Sequence, residues 1–165
     1  MKKVKASDLM SKDLVSILPG STVSEAAELM RKSNVGVLPV VSAGVLKGMV
    51  TDRDMILRCI EGGEDPRTTK AQDVMTTNIA YLSPEHSVQD VLHLMAAEQV
   101  HRVPVVEDGI LQGLISMSDI ARYCAENGGE DAMAKTVEEI SETPRWQVYG
   151  DQKLREKRER EARKS

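Results

Sequence analysis

Between Gly48 and Met55 the chain reads GMVTDRDM, which places a hydroxyl, a guanidinium and a carboxylate, those of Thr51, Arg53 and Asp54, within four residues. If Thr51 opens a helix, the free N–H groups of the first turn and the helix dipole favour an anion there. Arg53 adds a planar fork of donors that fits phosphate oxygens, and Asp54 can accept two hydroxyl donors at charge-assisted strength. The same T-x-x-D spacing is also a plain capping box, in which the two side chains satisfy each other's backbone and need no ligand. Residue types alone leave the two readings equal. Ser116 and Asp119 form a second such element, with Met117 and Ser118 where the first has Asp52 and Arg53, and His101 with Arg102 places a basic pair ahead of the apolar run VPVV.

Catalysis finds little support. His86 precedes a helix start, His93 falls inside a helix, and none of the three histidines has a nucleophile or metal ligand at a motif spacing. No phosphate-binding glycine loop of the G-x-x-x-x-G-K or G-x-G-x-x-G kind occurs. Cys59 and Cys124 lack a metal-ligand spacing and read as small buried hydrophobes.

What positions these residues is an internal repeat. Shifted by 65 residues, ASDLMSKDLVSILPGSTVSEAAELM aligns without a gap to AQDVMTTNIAYLSPEHSVQDVLHLM, and the register holds through NVGVLPVVSAGVLKGMVTDRDM against QVHRVPVVEDGILQGLISMSDI. Asp8, Met10, Pro19, Pro39, Gly44, Gly48, Asp54 and Cys59 all meet identical residues. The counterparts of His101 and Arg102 are Gly36 and Val37, so nothing in the repeat itself demands a basic pair.

Each copy predicts the order strand, helix, strand, strand, helix. Thr22 with Glu25, and Ser87 with Asp90, are capping boxes. After them Val23, Ala26, Ala27 and Met30 in one copy, and Val88, Val91, Leu92 and Met95 in the other, recur at helical spacing as one buried face. VLPVV and RVPVV read as strands whose proline must sit at a start or an edge. SAG and EDG are turns into VLKGMV and ILQGLI, so each pair is a hairpin. The helix after Thr51 carries Met55, Ile56, Cys59 and Ile60. A unit of about fifty residues has a marginal core, so the copies should pack together through their sheets. The expected division is 1–63 for the first motif, 64–70 for a linker, 71–130 for the second motif, and 131–165 for a charged C-terminal extension, partly helical or disordered.

This order, with PVV-x-x-G, G-M-V-T-x-R-D and H-R-V-P-V-V, resembles the CBS domain family, named after cystathionine beta-synthase, from residue 6 to about residue 126. The resemblance implies an α+β fold: two pseudo-symmetric β-α-β-β-α motifs packed through their sheets into one Bateman-type module with two clefts. It also implies an adenosyl ligand, namely AMP, ADP, ATP, NAD(H) or S-adenosylmethionine, with Mg2+ accompanying ATP and no prosthetic group. The family's Asp usually holds ribose hydroxyls, and its Thr or Ser approaches phosphate. A ribose cis-diol offers two donors that one carboxylate can accept together, which fits that role. In modules resembling the gamma subunit of the AMP-activated kinase, a His-Arg pair reaches phosphates.

Carried over residue by residue, the first cleft uses Val15, Val37, Leu38 and Pro39 for the base, Thr51, Arg53 and Asp54 from the first copy, and His101 and Arg102 from the second. A weaker second cleft uses Ala80, Val103, Pro104, Ser116 and Asp119. The first, with TDRD, is expected to be the tighter.

Composition limits the alternatives. The 165 residues carry a formal net charge of -4, which argues against a general nucleic-acid surface. Aromatics are 2% and Phe is absent, so the core must be aliphatic. No apolar run reaches the roughly 18 residues of a membrane span; a cytoplasmic address with no membrane contact is expected. Residues 151–165 are basic, read as a solvated or frayed helix rather than a nucleic-acid arm. Trp146 and Tyr149 mark a segment expected to dock on the module. The expected role is regulatory and non-enzymatic, as a homodimer joined by helix faces and acting on an unidentified protein in trans. A ligand-free interaction scaffold and a nucleic-acid regulator are the rivals.

Overall fold

The computed structural model describes residues 4–141. The first copy comprises α1 (Ala6–Leu9), α2 (Val23–Ser33), β1 (Val37–Ser42), β2 (Val45–Thr51) and α3 (Asp52–Asp54), which runs on into a π-helical turn over Met55–Ile60. The second copy comprises α4 (Ala71–Val74), α5 (Val88–Glu98), β3 (Arg102–Glu107), β4 (Ile110–Ser116) and α6 (Met117–Asn127). A last helix, α7 (Glu130–Ser141), has no counterpart in the first copy. The basic segment 151–165 and the expected docking of Trp146 and Tyr149 lie outside the described residues.

Local chemistry explains where the elements begin and turn. Thr22 Oγ1 accepts from the Glu25 N–H at 3.1 Å, and Ser87 Oγ accepts from the Asp90 N–H at 3.3 Å, so both boxes start helices as their spacing predicts. The hairpin tips Ala43-Gly44 and Asp108-Gly109 have positive φ at both residues, 50° and 80°, and 51° and 80°. That is the backbone of a two-residue turn whose twist matches the strands.

The strands expected at the start of each copy shrink to single parallel pairs, Ile17 with Val40 and Leu82 with Val105. The reason is a missing donor. Val41 N–H donates to Ile17 O and Ile17 N–H to Pro39 O, both at 2.9 Å. The next rung would need an N–H from Pro39, which has none. Pro104 stops the second ladder in the same way, after Val106 N–H to Leu82 O at 2.8 Å and Leu82 N–H to Pro104 O at 3.0 Å. Val15 and Ala80, one rung further out, therefore lie outside any strand.

One sheet runs through both copies in the order β1-β2-β4-β3, with the hairpins meeting tip to tip at the pair Val45 and Ile110. The leading helices are exchanged. α1 packs on the second copy, where Ala6 N–H donates to His86 O at 2.7 Å and Ala6 joins the core of Val91, Met95, Val103 and Ile115. α4 packs on the first, where Ala71 N–H donates to Ser21 O at 2.7 Å and Ala71 and Val74 join Ala26, Leu38, Val40 and Val50. Ser11 pairs with Leu114, and Thr76 with Met49, to seal the exchange.

The two copies differ in what covers their outer helices. Val88, Val91, Leu92 and Met95 are all buried, because α7 lies across α5 and α6 and adds Ile140 and Met133 to their core. In the first copy Val23, Ala26 and Met30 are buried, but Ala27 is exposed, and beyond it so are Ile56 and Ile60. Of the four apolar residues expected on the helix after Thr51, Met55 and Cys59 are buried.

Candidate functional site

At the base of the first hairpin Val37 pairs with Thr51. Thr51 Oγ1 accepts from the Asp54 N–H at 3.0 Å, and Asp54 Oδ2 accepts from the Thr51 N–H at 3.0 Å, closing the capping box. Asp54 is largely enclosed, with its side chain 15% exposed, and its Oδ1 lies 3.5 Å from the Arg58 guanidinium. Arg58 in turn donates to Val74 O at 2.8 Å, fastening α4 beside the carboxylate. Arg53 is exposed and forms no ion pair among the described residues.

The second hairpin repeats this base with more cations. Ser116 N–H and Oγ both donate to Asp119 Oδ2, at 2.8 and 2.6 Å, and the Asp119 side chain is 13% exposed. Arg122 approaches its Oδ1 at 3.5 Å. Arg102 pairs with Ser116 across β3 and β4, and His101 O accepts from the Met117 N–H at 2.9 Å. Both His101 and Arg102 are exposed, and neither forms an ion pair among the described residues.

His101 and Arg102 were expected with Thr51, Arg53 and Asp54; their backbones lie beside Ser116 and Met117, because a hairpin brings the start of its first strand to the end of its second. No hydrogen bond or ion pair among the described residues joins them to Thr51, Arg53 or Asp54. Leu38, Pro39 and Val103 are fully buried and Pro104 is buried, so their side chains pack in the core. Among the expected apolar contacts only Val15, at 37% exposure, and the half-buried Val37 and Ala80 are accessible.

Arg58 and Arg122 escaped the sequence reading, although their i+4 and i+3 spacing from the two acids is a readable signal. So did an apolar groove of about 680 Å3 on the outside of the first copy, between α2 and the π-helical turn, bordered by Met30, Met55, Ile56 and Ile60.

Ser83 Oγ lies 2.8 Å from His86 Nδ1, which also receives the Ser83 N–H at 3.0 Å. Both contacts close the turn before α5. Among the described residues no group of three or more His, Cys, Asp and Glu is arranged to hold a metal, and no helix is long and apolar enough to cross a membrane.

The CBS domain model matches twice, over residues 6–61 and 71–126. The CBS domain-containing protein YhcV of Bacillus subtilis is 41% identical over 121 residues, spanning 73% of this chain and 84% of that one. Hypoxic response protein 1 of Mycobacterium tuberculosis is 34% identical over 123 residues, spanning 74% of this chain and 86% of its own. A crystal structure of Hypoxic Response Protein I, with two coordinated zinc ions, superposes with a TM-score of 0.68 at 34% identity, covering 73% of this chain and 98% of that one. Two matched repeats, the paired hydroxyl–carboxylate caps and the shared hairpin sheet together make this chain a member of the CBS domain family, as a tandem pair.

Proposed function

We propose that the chain is a regulatory module that binds an adenosyl ligand at the bases of its two hairpins and acts, as a homodimer, on a partner protein in trans without catalysing a reaction of its own. The observation that carries this is the duplicated carboxylate, Asp54 and Asp119, each largely enclosed by a backbone cap and approached by an arginine of its own helix. A carboxylate has about four lone-pair positions, and the cap leaves capacity for ribose hydroxyls. Arg53 in the first site, and His101 and Arg102 in the second, then meet phosphate, with Val15, Val37 and Ala80 offering apolar contact to the base. Mg2+ would accompany ATP. The basic pair shares its hairpin with Ser116, which supports the second site as the tighter one for charged nucleotides, reversing the ranking expected from TDRD.

Regulation follows if the ligand favours one arrangement of the exchanged halves over another, since a ligand shifts a population only by its differential affinity. Arg58 makes such a link on the first side, because it contacts both Asp54 and the carbonyl of Val74 in α4.

The test is calorimetric titration with AMP, ADP, ATP with and without Mg2+, NADH and S-adenosylmethionine, repeated on Asp54→Ala and Asp119→Ala. Binding of one ligand, weakened at least about tenfold by Asp119→Ala and less by Asp54→Ala, is expected, the loss of one charged hydrogen bond being about 1.5–3 kcal/mol. No heat from any ligand in the panel would leave the scaffold reading in its place.

A further inference from the structure

Arg58 reaches across the boundary between the two copies, and its register partner does not. Arg58 Nη1 donates to Val74 O at 2.8 Å, and Nη2 lies 3.5 Å from Asp54 Oδ1. The carbonyl it holds belongs to the same planar peptide unit as the Met75 N–H, which donates to Ala71 O at 2.9 Å and closes α4. The next N–H, that of Thr76, donates to Met49 O at 2.8 Å. Arg58 therefore grips the peptide at which α4 ends and the exchanged segment sets out toward the second copy.

The second copy lacks this grip. A shift of 65 residues carries Asp54 to Asp119, Val74 to Leu9 and Arg58 to Tyr123. Tyr123 packs against the second copy's core. Arg122, the cation that approaches Asp119, has its side chain 70% exposed, and among the described residues no side chain donates to Leu9 O. The helices differ as well. Met55–Ile60 is π-wound, with Glu61 N–H donating to Ile56 O at 2.8 Å, whereas α6 is α-helical throughout Met117–Asn127. Single π turns of this kind are frequent at functional positions.

Asp54 would offer a ligand the same oxygen that Arg58 uses. Its Oδ2 accepts from the Thr51 N–H at 3.0 Å, and its Oδ1 faces Arg58. A hydroxyl donor arriving at Oδ1 competes with the guanidinium. Partly exposed ion pairs are weak, so the competition is one that a bound donor can win.

We propose that Arg58 is a latch that makes the first site the signalling one. With Asp54 Oδ1 free, the guanidinium is aimed at Val74 O and pins α4; with Oδ1 occupied it lets go, whereas occupancy at Asp119 leaves α1 in place. The second site then holds nucleotide and the first transmits its arrival. The proposal rests on the reading of Asp54 as a ligand carboxylate, but the latch belongs to the empty protein and is tested there. Titrations without binding would remove the trigger and leave the latch; a failed latch would leave binding intact.

Amide hydrogen exchange of the ligand-free full chain, followed by NMR, tests it. Asp54→Asn stands for an occupied Oδ1, since it removes the charge that aims Arg58 and keeps an acceptor for the Thr51 N–H. Exchange at the Met75 N–H is expected to quicken at least about threefold in Arg58→Met and in Asp54→Asn. Asp54→Asn/Arg58→Met is expected to match Arg58→Met alone, because the same link is broken. The Val106 N–H, which donates to Leu82 O inside the second copy, should exchange as in the wild type, and so should the Met10 N–H in Asp119→Asn. A Met75 N–H indifferent to either substitution, a double variant in which the two factors multiply, a Val106 N–H quickened as much as Met75, or a Met10 N–H loosened to the same degree by Asp119→Asn would each overturn the proposal.

Discussion

Gly48 and Gly113 occupy equivalent positions in β2 and β4, so their replacement by alanine asks how tightly each exchanged segment is held. A Cβ on Gly48 would lie 2.6 Å from Met75 Sδ and 2.8 Å from the main-chain oxygen of Thr76. The thioether can swing away; the carbonyl cannot, because Thr76 and Met49 exchange hydrogen bonds of 2.8 and 3.0 Å that fix the second half's leading segment to the first half's sheet. The carbonyl contact is about 0.7 Å inside the ~3.5 Å at which carbon contacts become favourable. A Cβ on Gly113 instead meets three atoms of the Met10 side chain, at 2.7 to 2.9 Å. Overpacking costs typically about 1–3 kcal/mol, so Gly48→Ala belongs near the top of that range and Gly113→Ala near its middle, because Met10 Cγ and Sδ can rotate away but its Cβ, at 2.9 Å, is fixed to the backbone. Alanine's smaller backbone entropy loss, about 0.5–1 kcal/mol, offsets part of each. Urea unfolding monitored by circular dichroism should show Gly48→Ala less stable than Gly113→Ala by about 1 kcal/mol, or roughly 2–4 °C in Tm. Equal stabilities, or a larger loss at Gly113, would refute the claim that the backbone rather than the methionine sets the limit.

Two further outcomes follow from titratable groups. The Arg67 side chain donates to Asp65 at 3.2 Å and, with the Arg67 N–H, holds that carboxyl below the ordinary carboxylate range. A depressed folded value means the stabilisation is present above the unfolded value, about 3.9, and is lost as pH falls through the folded one. Carbonyl-carbon NMR titration should show Asp65 moving up toward the ordinary value in Arg67→Ala, and an unchanged midpoint would refute the pairing. Burial pushes the Cys124 thiol up, helped by nearby Glu130, which sits at the start of α7. Native-state alkylation at neutral pH should be slow at Cys124 and speed up in Ile140→Ala, which loosens α7; rapid labelling in the unaltered chain would contradict the burial.

Much of the local design is legible in the residues themselves. The caps at Thr22, Thr51, Ser87 and Ser116 act over three positions, and the two-residue turns need only a glycine in the right place, so a linear reading finds them. The double copy is legible for the same reason, since a shift of 65 residues compares like with like along the chain. The shortness of the first strands was not legible from Pro39 and Pro104 alone, because which side of a strand lacks its donor depends on which neighbour lies there. A linear alignment marks His101 and Arg102 as an added basic pair, but only the hairpin shows that Ser116 lies across from Arg102.

Membership of a tandem CBS pair, the helix starts, the hairpins and the aliphatic character of the core were determined by the sequence, because each depends on spacing within a few residues or on self-similarity. The exchange of α1 and α4, the covering of α5 and α6 by α7, and the exposure of Ile56 and Ile60 were decided by tertiary structure alone. These turn on which surfaces meet across distant parts of the chain, and an apolar residue at helical spacing carries no label saying what will cover it.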